Sequence, residues 1–185
     1  ARQGHADAQY ELAELYLSGI GCEEDQYRVI PKWGETMVMC LSDEVYTKVF
    51  MLFEKAADQG HVDAQYKLGW MYYHGCGVEK DPSQEIKWYE KAAQQGHVNA
   101  QYELGRLYYL GQSVDQDNDQ GFYWIDQAAH QGNDKAQFKL GQIYYYGHGL
   151  EKDFTQALNW FEKSAEQGYV EAQHNMGLMY HYGRG

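Results

Sequence analysis

The residues best suited to chemistry in this sequence are its histidines. His174 and His181 are seven positions apart, and on a helix that spacing corresponds to about 10 Å, too far to share one metal ion without further ligands. His5, His61 and His97 each follow a glycine, where a turn or a helix cap is a simpler role than metal binding. The histidine pattern therefore predicts neither a metal site nor a cofactor.

Catalytic motifs are also missing from the sequence. It contains no G-x-S-x-G, H-E-x-x-H, Walker or dinucleotide-binding pattern. Glu23, Glu24 and Asp25 form an acidic cluster of the kind usually found in a solvated turn. The G-x-G turns, such as Gly75 to Gly77, lack the Lys-Ser/Thr of a phosphate loop. We therefore expect a protein that is not an enzyme.

The aromatic residues remain as candidates for binding. The chain has 18 Tyr and 5 Trp among 185 residues. Tyrosine and tryptophan offer a large contact area and a polar handle at a low entropy cost, which suits the binding of a peptide or protein. Which of them share a surface depends on the elements that carry them.

A repeat of 36 residues organises the chain. The glycines that keep this step are Gly60, Gly96, Gly132 and Gly168, and four Ala-Gln pairs, from Ala64 to Ala172, keep it too. A fixed period of this length indicates a solenoid of stacked supersecondary units. We expect one domain over residues 1–185, with repeats at about 5–60, 61–96, 97–132, 133–168 and a partial 169–185. The chain begins without Met and in mid-repeat, which suggests a piece of a longer array.

Each repeat is predicted to contain two helices, A and B. In the second repeat, apolar residues at i, i+4, i+7 and i+8 predict helix A from about Val62 to His74. Helix B is expected to direct four side chains inward: Ile86, Tyr89, Ala92 and Ala93. The tryptophans that recur on helix B are expected to pack in the core: Trp88, Trp124 and Trp160.

Glycines and caps mark where these helices begin, end and meet. Gly75 and Gly77 suit positive φ after helix A, and Gly96 suits the end of helix B. Asp81, Pro82 and Gln84 predict the start of helix B, with a capping box of the form D-x-x-Q. The glycines inside helix A are expected to let a neighbouring helix approach closely: Gly69, Gly105, Gly141 and Gly177.

The repeated run A-x-A-Q-Y-x-L-G-x-x-Y-x-x-G-x-G-V-x-K-D…W-Y-x-K-A-A-x-Q-G resembles the Sel-1-like repeat (SLR) family, a relative of tetratricopeptide repeats. The resemblance covers the chain from Gly4 to Gly185 except one insertion. It implies an all-α fold: a right-handed α/α superhelix of about four and a half helix-turn-helix repeats. It also implies an adaptor or scaffold, often in bacterial signalling, envelope or host-contact settings.

Some members of this family hold each repeat with a cysteine pair, a feature that this chain does not share. Cys22, Cys40 and Cys76 do not follow the repeat spacing. We therefore do not carry over the disulfides, or the penicillin-related activity proposed for that branch.

The same resemblance places a set of helix A residues on the concave face of the superhelix. The residues expected to contact a partner are Tyr10, Tyr66, Trp70, Tyr73, His74, Tyr102, Arg106, Tyr109, Phe138, Gln142, Tyr145, Tyr146, His174 and His181. The corresponding positions in the other repeats are Glu14, Leu17, Ser18, Leu110, Leu178 and Tyr182. Two interpretations remain open for any one aromatic among them: it lines a binding groove, or it fills space between neighbouring A helices.

The first repeat departs from the pattern. Gly4 and Gly60 are 56 residues apart, which leaves an insertion of 20 residues at about 26–45. Two β-prone runs around PKWGE predict a small hairpin there, and Ser42 to Glu44 predict the restart of helix B. The apolar residues of the insertion either pack on the flank of the solenoid or form a second contact patch with Trp33, Met37 and Met39.

Composition narrows the class of partner. The net charge of −12 disfavours nucleic acid and anionic membranes and favours a basic protein or peptide. No apolar run is long enough to insert into a membrane. Three unpaired cysteines favour a reducing compartment, such as the bacterial cytoplasm, although a periplasmic or secreted protein stays open.

Three hypotheses of function follow. The first is a non-catalytic scaffold that binds a protein or peptide in the aromatic groove; a narrower form is an inhibitor or immunity-type protein for a cognate effector. The second is a hydrolase directed at cell walls or β-lactams. The third is an architectural spacer between other domains.

Overall fold

The computed structural model describes residues 2–18, 28–32, 35–39, 43–147 and 151–184. Within these residues the chain has nine α-helices and one two-stranded sheet. In chain order the elements are α1 (Arg2–Leu17), β1 (Arg28–Lys32), β2 (Glu35–Met39), α2 (Asp43–Asp58), α3 (Val62–His74), α4 (Pro82–Gln94), α5 (Val98–Leu110), α6 (Asn118–His130), α7 (Asp134–Tyr146), α8 (Phe154–Glu166) and α9 (Val170–His181). The predicted alternation of A and B helices is confirmed.

The contacts of the chain divide it into two compact units. These are an N-terminal unit, Ala1–Ala92, and a C-terminal unit, Ala93–Gly185. In the N-terminal unit α2 packs against both α1 and α3. In the C-terminal unit α6 packs against α5 and α7, and α8 packs against α7 and α9. Within the two units, α2, α6 and α8 therefore each pack against the helix A of their own repeat and against that of the next repeat.

Helix A begins and ends where the sequence predicts. The predicted bounds Val62 and His74 are those of α3. Gly75 follows α3 in the left-handed conformation, with φ 72°, and its backbone N–H donates to the carbonyl of Met71. Gly111 and Gly147 end α5 and α7 in the same way. These sites need glycine because a side chain is strained at such φ values.

Aspartates cap the B helices, but only half of the predicted capping box forms as expected. The Asp81 carboxylate accepts from the backbone N–H groups of Ser83 and Gln84. The backbone N–H of Asp117, which the box would pair with the glutamine, donates instead to the Tyr108 carbonyl at 3.0 Å. Asp153 does the same with Tyr144. The turn after helix A therefore satisfies this N–H group.

The glycines inside the A helices lie against B helices, as predicted. A Cβ atom at Gly69 would lie 2.6 Å from the ring of Tyr89, and one at Gly105 would lie 2.8 Å from the backbone nitrogen of Ile125. At Gly177 nothing lies within 4 Å of the added atom. Close packing of helices A and B thus depends on glycine in the second, third and fourth repeats, whereas the buried Ala13 holds this position in the first.

The predicted inward face of helix B is correct for Tyr89, Ala92 and Ala93, which are buried. It is wrong for Ile86, which is half-buried, because the buried position is that of Glu85, 1% exposed. The matching residues of the other B helices are also buried: Val49, Gly121 and Ala157. Trp88 and Trp160 are buried and Trp124 is half-buried, in agreement with a role in packing.

The predicted hairpin in the insertion is confirmed for its backbone. β1 and β2 pair in antiparallel register, with Val29 opposite Val38. Helix α2 then begins at Asp43, with Asp43 and Glu44 in its first turn. Since α2 has 16 residues and α4 has 13, the insertion also lengthens helix B of the first repeat at its start.

Several sequence predictions fall on residues outside the described ranges. These are Cys22, Glu23, Glu24, Asp25, Trp33, Cys40 and Ser42. Met37 and Met39 lie in β2, and only their backbone is described. Whether the insertion packs down or forms a second contact patch stays a prediction.

Candidate protein-binding site

The first predicted contact position of helix A lies half-buried between helices. The residues at this position are Tyr10, Tyr66, Tyr102 and Phe138. The Tyr10 ring lies 5.6 Å from that of Phe53 on α2 and 4.4 Å from that of His61, which begins the next repeat. Phe138 packs in the same way against Phe161 and Tyr169. This position fills space between neighbouring elements, the second of the two interpretations open from the sequence.

Burial changes the acidity of these tyrosines. Burial raises the pKa of the Tyr102 hydroxyl to about 12. The pKa of Tyr10 is raised as well, chiefly by burial and then by the nearby carboxylate of Glu14. His174, at the matching position of α9, is exposed.

The second predicted position holds residues of mixed chemistry. Trp70 is half-buried, with its ring 4.0 Å from that of His74. The Arg106 guanidinium donates to the Glu103 carboxylate at 2.9 Å and to the Gln112 side chain at 2.7 Å. Gln142 is half-buried, and Leu178 is 39% exposed.

The last turns of the A helices of the C-terminal unit carry a set of half-buried and exposed residues at the predicted positions. We call this set the last-turn row: Tyr109, Leu110, Tyr145, Tyr146, His181 and Tyr182. Leu110 is 47%, Tyr146 53% and Tyr182 62% exposed. They occupy the same repeat position, 36 residues apart, at the ends of α5, α7 and α9.

Two cations lie over tyrosines of the last-turn row. The Lys139 ammonium, on α7, lies 4.2 Å from the centre of the Tyr109 ring on α5. The Arg184 guanidinium, just after α9, lies 5.6 Å from the centre of the Tyr145 ring and donates a hydrogen bond to its hydroxyl. Tyr109 and Tyr145 are one repeat apart, so the contact recurs although the cation comes from different chain positions.

In the N-terminal unit the predicted residues form a smaller cluster at the end of α3. Tyr73 is 39% exposed, and its ring lies edge-on 4.8 Å from that of the half-buried His74. The Lys67 ammonium lies 2.9 Å from the Glu14 carboxylate of α1. Glu14, predicted to face a partner, is thus engaged within the fold.

Two of the three histidines that follow a glycine cap helices, as predicted. The Nδ1 atoms of His61 and His97 accept the backbone N–H of Ala64 and Ala100 at 3.2 Å and 3.0 Å. His5 is an exception, because it lies exposed within α1. Across the described residues, no group of three or more His, Cys, Asp or Glu is placed to hold a metal ion.

A small recess is lined in part by His61, whose ring stacks on that of the predicted contact residue Tyr10. Its volume is about 350 Å³, and its lining includes Asp7, Gln59 and Asp63. Cys76 is half-buried. None of the helices in the described ranges combines the length and apolar character needed to cross a membrane.

The sequence prediction missed Lys139 and Arg184. Lys139 stands one residue after the predicted Phe138, on a part of α7 that the mapping did not use. A signal was available, because Lys67 occupies the same repeat position in α3. Arg184 had no such signal, since its counterparts lie in the turns after the A helices.

Two solved bacterial structures are similar to this chain over most of its length. The first is c5321, a protective antigen of uropathogenic Escherichia coli strains with an SLR fold: 32% identity, TM-score 0.77, covering 95% of this chain and 33% of that one. The second is a Sel1 repeat protein from Oxalobacter formigenes: 30% identity, TM-score 0.79, covering 97% of this chain and 65% of that one. The immunity protein PA5088 of Pseudomonas aeruginosa, at 22% identity and TM-score 0.53, covers 95% of this chain and 57% of that one and shares the fold.

Among curated proteins, chitin synthase regulatory factor 3 of Schizosaccharomyces pombe is 32% identical over 89 residues, which is 48% of this chain and 8% of that protein. This chain therefore spans less than two thirds of each of these relatives.

The Sel1 repeat family matches nearly the whole chain. The matched segments are residues 6–28, 46–61, 62–97, 98–133, 134–169 and 170–185. The first two segments flank the hairpin, so they are the two parts of the interrupted first repeat. Sel1 repeats typically mediate protein–protein interactions, and proteins built from them are generally non-catalytic scaffolds. On the strength of this match, together with the paired helices and their glycine contacts, the chain belongs to the Sel1 repeat family.

Proposed function

We propose that this chain is a non-catalytic scaffold that binds an extended peptide or protein segment along the last-turn row. The observation that carries the proposal is the exposure of Leu110, Tyr146 and Tyr182, which occupy one repeat position on successive A helices. Exposed large apolar side chains are common singly, whereas a regular series of them is typical of a contact surface.

The dimensions of the row suit an extended segment. Lys139 of α7 reaches the Tyr109 ring of α5, and Arg184 after α9 reaches the Tyr145 ring of α7. Helices whose side chains touch lie roughly 10 Å apart, so α5, α7 and α9 would present their last turns over about 20 Å. An extended chain covers that distance with about six residues. Tyrosine side chains are frequent hot spots of protein interfaces because they bury a large area with few rotatable bonds.

The remaining predicted contact residues contribute unequally to this proposal. Tyr10, Tyr66, Tyr102 and Phe138 hold helices together and offer a partner only their exposed edges. Trp70, Tyr73 and His74 form a separate cluster on α3 that could hold part of a partner by itself. We assign the principal contact to the last-turn row, since Leu110, Tyr146 and Tyr182 are the most exposed large apolar side chains at the predicted positions.

Selection of peptides against the purified chain tests the proposal. A display library of random peptides of about ten residues is long enough to span the row. Affinities of the enriched peptides would then be measured by fluorescence anisotropy for the wild type and for a variant that combines Tyr146→Ala with Tyr182→Ala. We expect the variant to bind about tenfold more weakly or worse, because it loses two exposed anchors.

A matched control is available on a B helix. Tyr123 on α6 is 51% exposed, about as much as Tyr146, and Tyr123→Ala should leave the affinities unchanged. Far-UV circular dichroism would show that each variant keeps its helices. If no enriched peptide depends on Tyr146 and Tyr182, or if Tyr123→Ala weakens binding equally, the row is not the binding site.

A further inference from the structure

The two cations over the last-turn row are held by aromatic rings and not by carboxylates. Within the described ranges, neither Lys139 nor Arg184 lies within salt-bridge distance of a carboxylate. Lys139 instead lies over the Tyr109 ring and Arg184 over the Tyr145 ring, and these two tyrosines are one repeat apart. Exposed lysines such as Lys80 and Lys135 also lack a carboxylate partner, but Lys139 differs from them because it is half-buried.

The equivalent lysine of the N-terminal unit shows what Lys139 lacks. Lys67 occupies the same repeat position, and its ammonium lies 2.9 Å from the Glu14 carboxylate on the preceding A helix. On α5, the A helix of the repeat before Lys139, Arg106 holds the position that Glu14 has on α1. The carboxylate is thus replaced by a cation, so α5 supplies no counterion from that position.

The lack of a carboxylate partner is unfavourable for the Lys139 ammonium because of its surroundings. Its side chain is half-buried, and burial lowers the pKa of its ammonium group. The Tyr109 ring attracts the ammonium but occupies only one side of it. An arriving carboxylate would meet a partly desolvated charge that is already held in place, which strengthens an ion pair relative to one formed in open solvent.

Arg184 is held in a comparable way. Its guanidinium lies 5.6 Å from the ring centre of Tyr145, 5.5 Å from that of Phe154 and 5.7 Å from that of Tyr182. It donates one hydrogen bond, to the Tyr145 hydroxyl. Since guanidinium has five N–H donors in a fixed plane, several remain for a carboxylate.

From this arrangement we propose that the last-turn row binds an acidic segment of a protein, with one carboxylate paired to Lys139 and a second paired to Arg184. The inference rests on the proposed function and specifies the partner's chemistry. With the two sites on neighbouring A helices roughly 10 Å apart, the carboxylates would be about three residues apart in an extended chain. Apolar side chains between them would contact Leu110 and Tyr146.

The net charge of the chain and the local charge of the last-turn row favour partners of opposite charge. The net charge of −12 favours a basic partner at long range, but screening reduces such effects beyond about 10 Å at ordinary ionic strength. The groups that would touch the segment are Lys139 and Arg184, which favour carboxylates. A nucleic acid would bring many phosphates against the acidic remainder of the surface, so we commit to an acidic peptide segment.

The peptides enriched in the selection described above provide the first test. We expect them to contain two acidic residues about three positions apart, with apolar or aromatic residues between them. Their affinity should fall as salt is added, since part of it comes from ion pairs. Enriched peptides that depend on Tyr146 and Tyr182 but are neutral or basic would overturn this inference and leave the proposed function standing.

A double-mutant cycle gives the sharper test. For an enriched acidic peptide, Lys139→Gln and the replacement of the peptide's acidic residue by its amide should each weaken binding about tenfold, and both together little more than either alone. The same should hold for Arg184→Gln and the second acidic residue. Losses that simply multiply at both sites would show that the ion pairs do not form.

Two further variants separate charge from folding. Lys163→Gln is the matched control, because its ammonium lies 3.9 Å from the ring centre of Trp160 on α8 and makes the same kind of contact on a B helix. It should leave binding unchanged. Lys139→Arg keeps the charge and should retain most of the affinity; loss of binding in Lys139→Arg equal to that in Lys139→Gln would contradict the inference.

Discussion

At the scale of single residues, a chain of glutamine side chains explains the most regular feature of the sequence. The Gln137 side chain donates to the Ala129 carbonyl at 3.2 Å, and its oxygen accepts from the Gln167 side chain at 2.8 Å. Gln101 makes the matching bonds with Ala93 and Gln131. The Ala-Gln pair of helix A and the Gln-Gly pair after helix B are therefore two halves of one hydrogen-bonded network.

Because it is buried in this network, Gln137 should contribute more to the free energy of unfolding than its exposed counterpart Gln173. Gln137 is 6% exposed, and Gln137→Ala would remove two hydrogen bonds, one to the Ala129 carbonyl and one from the Gln167 amide. We expect the free energy of unfolding to fall by about 1–3 kcal/mol. Chemical denaturation of both proteins, monitored by far-UV circular dichroism, measures the difference.

Gln173 provides the control for this prediction. It donates to the Ala165 carbonyl at the same distance of 3.2 Å but is exposed. Because water can replace the lost bond there, Gln173→Ala should cost clearly less than Gln137→Ala. Equal costs would mean that burial of the network contributes nothing to stability.

At the scale of elements, the closeness of helices A and B is set by glycine. A Cβ atom at Gly105 would lie 2.8 Å both from the Ile125 side chain and from its backbone nitrogen. A side chain can turn aside, but a backbone atom requires α6 to move. Gly105→Ala should therefore lower the free energy of unfolding by about 1–3 kcal/mol, despite the better helix propensity of alanine.

Gly177 allows the effect of alanine's helix propensity to be measured without a steric clash. It lies in α9 with nothing within 4 Å of an added Cβ, so Gly177→Ala should raise the free energy of unfolding by about 0.5–1 kcal/mol. The two substitutions are chemically identical and should have opposite signs in the same denaturation assay. A stabilising Gly105→Ala would refute the packing role.

These elements also show how far the sequence could predict the structure. Helix bounds were predictable because local signals set them: Gly75 forces the end of α3, and the Asp81 carboxylate sets the start of α4. The buried Glu85 was not predictable, since the packing of helix B against helix A decides which of two adjacent residues is covered. Local pattern determines the element, and tertiary contact determines its face.

The candidate site also has features that the sequence could predict and features that it could not. The exposed last-turn row followed from repeat position, whereas Tyr10 and Phe138 turned out to fill space, because their neighbours come from the next repeat. Lys139 lies over the Tyr109 ring, and α5 has Arg106 where α1 has a glutamate that pairs with a lysine. Such pairings arise between repeats, where the periodicity of one repeat carries no information.

At the scale of the whole molecule, the buried tyrosines tie stability to pH. Burial raises the pKa of Tyr102 to about 12. The pKa values of Tyr109, Tyr144 and Tyr169 are also raised above the ordinary value of 10.0, chiefly by burial. In the unfolded chain these hydroxyls ionise near pH 10, so above that pH the folded protein binds more protons than the unfolded one.

The direction of the pH effect follows from this difference. The stability that these hydroxyls contribute is fully present below about pH 10 and is lost as pH rises towards 12. Each tyrosine that ionises only on unfolding steepens the decline by about 1.4 kcal/mol per pH unit. Denaturation curves recorded from neutral pH to pH 12 should thus show a steep alkaline loss, and Tyr102→Phe should make it shallower by one proton. A Tyr102→Phe protein with an unchanged slope would show that this hydroxyl ionises as readily in the fold as in water.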